Sequence, residues 1–126
     1  MSSTREQRLS KLLKEELSAI ILREINDPRL GMISITDVEL TPDLKVAYVH
    51  ISAFGDQTER DQSIMVLDHA AGFLRMTLSK IVNLRHTPEL RFKLDTSLER
   101  ASRVYDLLNK IKSENPSPTN NDEEEK

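Results

Sequence analysis

Between Asp68 and Asp95 the sequence sets Arg75, Lys80, Arg85, Arg91 and Lys93 against one internal acid, Glu89. Cations gathered this way neutralise phosphate oxygens, arginine as a planar fork and lysine as a point charge. His86 lies beside Arg85 in a Pro-containing turn, where an imidazole can stack on a base or meet a phosphate. The competing interpretation is a scatter of solubilising charges, and the crowding of five cations into one stretch weighs against it. Arg5, Arg8 and Lys11 open the chain with less compensating acid than the residues after them and form a second, smaller group. Arg29 stands two positions after Asp27, so either a phosphate contact or a brace through Asp27 fits it.

Catalytic chemistry finds little footing. His50, His69 and His86 are the only histidines, and none builds a helical metal site, since His69 has only the adjacent Asp68, which points elsewhere. Glu15-Glu16, Glu59 with Asp61, and Glu123 to Glu125 belong to solvated faces, a helix start and a tail, where clustered acids imply no acid/base pair. With no cysteine and no Gly-rich phosphate loop, the chain reads as non-enzymatic, without cofactor or metal. Aromatics are few: Phe54, Phe73 and Phe92 suit a core, and Tyr48 and Tyr105 fit either place. Stacking on bases therefore ranks below contacts to phosphate.

The elements that must hold these residues follow from periodicity. Leu9, Leu12, Leu13, Leu17, Ile20, Ile21 and Ile25 recur at helical spacing, predicting a long amphipathic helix from Ser3 to Ile25, capped by Ser3 or Thr4. Asn26-Asp27-Pro28 ends it. Met32–Leu40 and Val46–Phe54 alternate as strands, the first with a register shift near Thr36-Asp37, and the short Thr41–Leu44 connection predicts an antiparallel hairpin. A helix beginning near Thr58 should turn Ile64, Met65, Leu67, Ala70 and Ala71 inward, and Gly72 should interrupt it at the Ala70-Ala71-Gly72 joint, marking a kink or a close backbone approach. Phe73, Leu74, Leu78, Ile81 and Val82 continue the apolar stripe. Leu90, Phe92 and Leu94 then alternate with Arg91, Lys93 and Asp95 as a strand that sends its cations to one face. Thr96 or Ser97 caps a last helix with Leu98, Ala101, Val104, Tyr105, Leu107, Leu108 and Ile111 inward. The result is an α+β domain, a three-stranded sheet covered on one face by helices.

Overall charge needs dividing before it is used. The chain carries −3, but Ser113 to Lys126 holds Glu114, Asp122, Glu123, Glu124 and Glu125 against Lys126, a net −4, which leaves +1 for residues 1–112. The boundary follows: a folded domain at 1–112 and a disordered acidic tail at 113–126, which has no apolar residue to bury. A chain of 126 residues without cysteine or a bilayer-length apolar run suits a soluble, cytoplasmic monomer with no membrane partner.

Three longer segments carry a family resemblance: EINDPRLG at Glu24–Gly31, ITDVELTPDLKVAYVHIS at Ile35–Ser52, and AAGFLRMTLSKIVNLRHTPELRF at Ala70–Phe92. Together they resemble ribosome-binding factor A, a bacterial small-subunit maturation factor, over roughly the first hundred and ten residues. The resemblance implies a type II KH-like fold, helix-strand-strand-helix-helix-strand, with an interrupted helix where ordinary KH domains carry a GXXG loop. Gly31, Gly55 and Gly72 are indeed too far apart to form one. It also implies binding to the immature small (30S) subunit through 16S rRNA, a role in late maturation and 5′ end processing, an association with growth in the cold, and release by a ribosome-associated GTPase. Two rivals remain: a generic KH-like nucleic-acid binder, and a protein-interaction module using the face of the first helix.

Overall fold

The computed structural model describes residues 4–114, apart from the side chains of residues 98, 99, 113 and 114. Its elements run α1 (Thr4–Glu24), β1 (Ile33–Leu40), β2 (Val46–Ala53), α2 (Gln57–Ile81), β3 (Glu89–Leu94) and α3 (Ser97–Glu114). The chain divides into two compact units, Met1–Asp95 and Thr96–Lys126. Of the proposed caps for α1, Ser3 lies outside the described residues, and so does the acidic stretch beyond Glu114.

In the first unit the strands lie in the order β1-β2-β3. β1 and β2 form the expected antiparallel hairpin, with a register shift between Ile35 and Asp37. β3 joins β2 in parallel, Val46 opposite Glu89 and Ile51 opposite Leu94. Side chains alternate across a strand, so Ala47, Val49, Ile51 and Ala53 of β2 share the buried face with Leu90 and Phe92 of β3. Leu13, Leu17 and Ile20 of α1 and Leu67, Leu74 and Leu78 of α2 close over them and are fully buried. Each such side chain contributes about 1.5–3 kcal/mol, so this layer carries the stability of the unit.

Several expectations are corrected. α2 is one helix of 25 residues whose hydrogen-bonded turns run on through Ala70, Ala71 and Gly72, in place of two separate helices. A single glycine costs about 1 kcal/mol in a helix; burying Leu67 before it and Leu74 and Leu78 after it outweighs that, and no proline is present to break the hydrogen-bond ladder. The helix starts at Gln57 and its cap is Asp56: the Asp56 carboxylate accepts from the Glu59 N–H while Glu59 Oε1 accepts from the Asp56 N–H, a reciprocal capping box. Met65, Phe73 and Ile81 point outward, because the core side of α2 runs through Ser63, Val66, Leu67, Leu74 and Leu78. Phe54, at the end of β2, is also exposed, and Phe92 alone of the three phenylalanines is core.

In the second unit, α3 stands as a helix whose Val104, Tyr105, Leu107, Leu108 and Ile111 are all exposed, against the inward placement that their spacing suggested.

Candidate nucleic-acid interface

Parallel pairing of β2 and β3 decides where the cations go. It sets the first residues of the two strands side by side, so the β1–β2 turn and the segment leading into β3 become neighbours, joined by the Glu89 N–H donating to the Lys45 carbonyl at 2.8 Å. Two tetrapeptides of the form Thr-Pro-acid-Leu, at residues 41–44 and 87–90, thereby meet at one end of the sheet. With the first turns of α1 they line a groove of about 1270 Å³. Leu9, Leu44, Leu84 and Pro88 give it an apolar floor, and Arg5, Lys45, Arg75, Arg85 and His86 line its walls together with Glu6, Asp43 and Glu89.

The turn is held rigid by its own side chains. Thr41 Oγ1 donates to Asp43 Oδ1 at 2.7 Å, and the Lys45 N–H donates to the same oxygen at 3.1 Å. These two donors hold the Asp43 carboxyl below its usual range. Leu44 adopts φ 62°, a left-handed conformation that costs a leucine about 1–2 kcal/mol. Its N–H, bonded to the Thr41 carbonyl at 2.8 Å, helps to hold it there, so Lys45 leaves the turn in a fixed direction.

Charges in the groove are not equally available. Glu89 accepts from Arg91 Nε at 2.8 Å, which keeps its carboxyl below the usual range, and Glu6 and Asp43 have partners of their own. Arg75 spends Nε and Nη2 on the Thr87 carbonyl at 3.0 and 2.8 Å, tying α2 to the segment before β3. By contrast, the exposed side chains of Arg5, Arg85 and His86 have no hydrogen-bond or ion-pair partner among the described residues. Glu89 is balanced by Arg91 from outside the groove, so Glu6 and Asp43 stand against four cations, Arg5, Lys45, Arg75 and Arg85, an excess of positive charge that favours phosphate.

The remaining candidates lie elsewhere. Arg91 and Lys93 share the open face of the sheet, the first paired with Glu89 and the second with its ammonium 4.6 Å from the Tyr48 ring centroid. Lys80 is on the outward side of α2, and Arg8 is exposed on α1. Lys11 lines a separate groove between α1 and the edge of β1, with Lys14, Glu6, Asp37 and Glu39 around it. Arg29 braces its own turn: Nη2 donates to Asp27 Oδ2 at 2.8 Å, Nε and the backbone N–H both reach Oδ1, and the Asp27 pKa falls to about 2. The brace expected of Arg29 is formed, and its side chain is still 59% exposed. Lys45 does not stand out in the sequence; its signal is the turn itself, whose position beside the β3 lead-in depends on strand order. Among the described residues no group of three or more His, Asp or Glu is placed to hold a metal ion, and no helix is long and apolar enough to cross a membrane.

The sequence and the fold both have relatives among known proteins. Residues 5–108 match the family model described as Ribosome-binding factor A. The chain is 45% identical to ribosome-binding factor A of Halothermothrix orenii over 117 residues, 93% of this chain and 96% of that one. It is 46% identical to the Thermomicrobium roseum protein of that name over 114 residues, 90% and 88% of the two chains. The fold is similar to the crystal structure of ribosome-binding factor A from Thermus thermophilus, with TM-score 0.64 and 28% identity over 71% of this chain and 94% of that one. It is also similar, with TM-score 0.56 and 27% identity over 76% and 97% of the two chains, to a homology model of the Thermus thermophilus factor as fitted into the cryo-EM map of its complex with the 30S subunit. This chain belongs to the ribosome-binding factor A family.

Proposed function

We propose that this protein is a non-catalytic assembly factor that binds the immature small ribosomal subunit through 16S rRNA and supports its late maturation, including processing of the 5′ end. The observation that carries this reading is the convergence of Arg5, Arg85 and His86, unpaired among the described residues, with Lys45 on one groove whose cations outnumber its carboxylates. The relative fitted into a 30S complex supports the choice of partner. Without a GXXG clamp, recognition rests on phosphates and on the shape of the folded rRNA.

Its mechanism is a shift of population. A factor moves an RNA folding equilibrium only by the difference between its affinities for the two arrangements, and a tenfold preference for the immature one corresponds to about 1.4 kcal/mol. The same preference demands release once the mature arrangement forms, a step assigned to a ribosome-associated GTPase. One copy acts per subunit, in the cytoplasm, and the requirement for it is greatest in the cold, where misfolded rRNA escapes slowly.

Sedimentation of a lysate containing the tagged chain tests this. Co-migration with free small subunits is expected; migration with polysomes would indicate a translation factor, and a low-mass position insensitive to salt would indicate a protein-interaction module.

A further inference from the structure

Leu44 sits on a backbone that does not suit its side chain. Among the described residues it is the one non-glycine residue with positive φ, at 62°, while the other positive φ, 113°, falls on Gly55. The left-handed region crowds a Cβ against the following carbonyl, so the residue that closes such a hairpin turn is usually glycine. Packing does not account for the leucine. Leu9 and Leu84, which line the same groove, lie against the buried core, whereas Leu44 stands outside that cluster and is half-buried in the turn. A side chain kept on an unfavourable backbone without serving the core has its use in what it meets outside the chain.

The groove itself says what that is. Lys45 follows Leu44 and Arg85 follows Leu84, so each of these apolar residues of the floor has a cation next to it in the chain, and all four line one groove. An RNA duplex would use only the cations, because it turns phosphate and ribose outward and keeps its bases in the stack. An acidic peptide would likewise leave the floor idle. An unpaired nucleotide brings both halves, a flat base with apolar faces and a phosphate on either side of it. The volume of about 1270 Å³ exceeds the roughly 300–1,000 Å³ of a small-ligand site, which gives room for more than one nucleotide. We infer that the groove takes unpaired nucleotides, one base lying against Leu44 and its neighbouring phosphates meeting Lys45 and Arg85, so that the protein engages a single-stranded stretch of rRNA here. The inference rests on the reading of this groove as an rRNA site and adds a base contact to it.

Base and phosphate contacts separate in two measurements. In methyl NMR of the full chain, a short single-stranded oligoribonucleotide of mixed sequence, titrated to about 1 mM, should shift the Leu44 methyl signals upfield, as a base ring above them requires. An abasic oligomer of the same length, and a duplex, should leave those signals in place. On immature small subunits, Leu44→Gly should bind about tenfold more weakly at every salt concentration while the slope of log affinity against log salt stays that of the parent, because a lost base contact releases no counterion. Glycine suits this backbone, so the variant keeps its fold and a melting temperature close to the parent's. Leu44 methyls that respond to no single strand, that respond equally to the abasic oligomer, or that respond more to a glutamate-rich peptide overturn the inference, as does a Leu44→Gly variant with the parent's affinity. Each of these leaves the cationic groove standing; its own failure would show instead as an unchanged salt slope when Arg5, Lys45 and Arg85 are neutralised.

Discussion

The guanidinium of Arg75 donates two hydrogen bonds, at 3.0 and 2.8 Å, to the carbonyl of Thr87, the residue that precedes Pro88. Proline restricts the residue before it to extended backbone, which turns that carbonyl outward, and Arg75 fixes it to α2. An arginine that belongs by sequence to a phosphate-binding cluster thus acts first as a brace. Arg75→Ala should lower unfolding stability by about 1 kcal/mol in urea titration, while Arg85→Ala, with no partner to lose, should stay within about 0.5 kcal/mol of the parent. Equal destabilisation by the two variants would remove the distinction between brace and free cation.

Asp27 and Arg29 give a pH signature. The Arg29 side-chain hydrogen bonds come first among the causes that hold the Asp27 pKa at about 2, below the ordinary 3.8. A carboxyl depressed in the folded state contributes stability above its unfolded pKa and loses it as pH falls through the folded value. In Arg29→Ala, NMR titration should find Asp27 moved up toward 3.8. The difference in melting temperature between parent and variant should be present at pH 6 and shrink as the pH approaches 2. An Asp27 that titrates identically in both proteins would contradict the brace.

Gly72→Ala should raise stability by about 1 kcal/mol, because the helix is continuous and the added Cβ meets nothing. Thermal melts decide it. A lower melting temperature would restore the kinked joint that the sequence suggested.

Much of the fold is legible in single residues, and the exceptions have physical causes. Period-two alternation identifies β1, β2 and β3, and the irregularity at Thr36-Asp37 is the register shift seen between Ile35 and Asp37. Glycine is ambiguous in a helix, since its cost is smaller than the burial of a few leucines, and the helix runs on through Gly72 for that reason. Met65 and Phe73 are misplaced because apolar identity does not say which side of a helix faces the core when both sides carry large residues. The site is harder still. Arg75, Arg85 and His86 stand out in the sequence, but their union with Arg5 and Lys45 depends on β3 running parallel to β2, a long-range pairing that no local pattern encodes.

Removing residues 115–126 should leave the melting temperature unchanged and should not weaken subunit binding, since the acids there oppose a polyanionic partner. A drop of several degrees would mean that this stretch contributes to the folded domain.

The central claim is that the groove at the β1–β2 turn meets rRNA phosphate. Binding isotherms on immature small subunits at several salt concentrations test it most directly, comparing the parent with an Arg5→Gln/Lys45→Gln/Arg85→Gln variant and with an Arg100→Gln/Arg103→Gln control on α3, and using circular dichroism to verify the fold. Each phosphate left without its cation should reduce the slope of log affinity against log salt by roughly 0.7–0.9. The groove variant should therefore bind more weakly and with a shallower slope, while the control stays close to the parent. Equal affinity and equal slope for the groove variant and the parent would contradict the account.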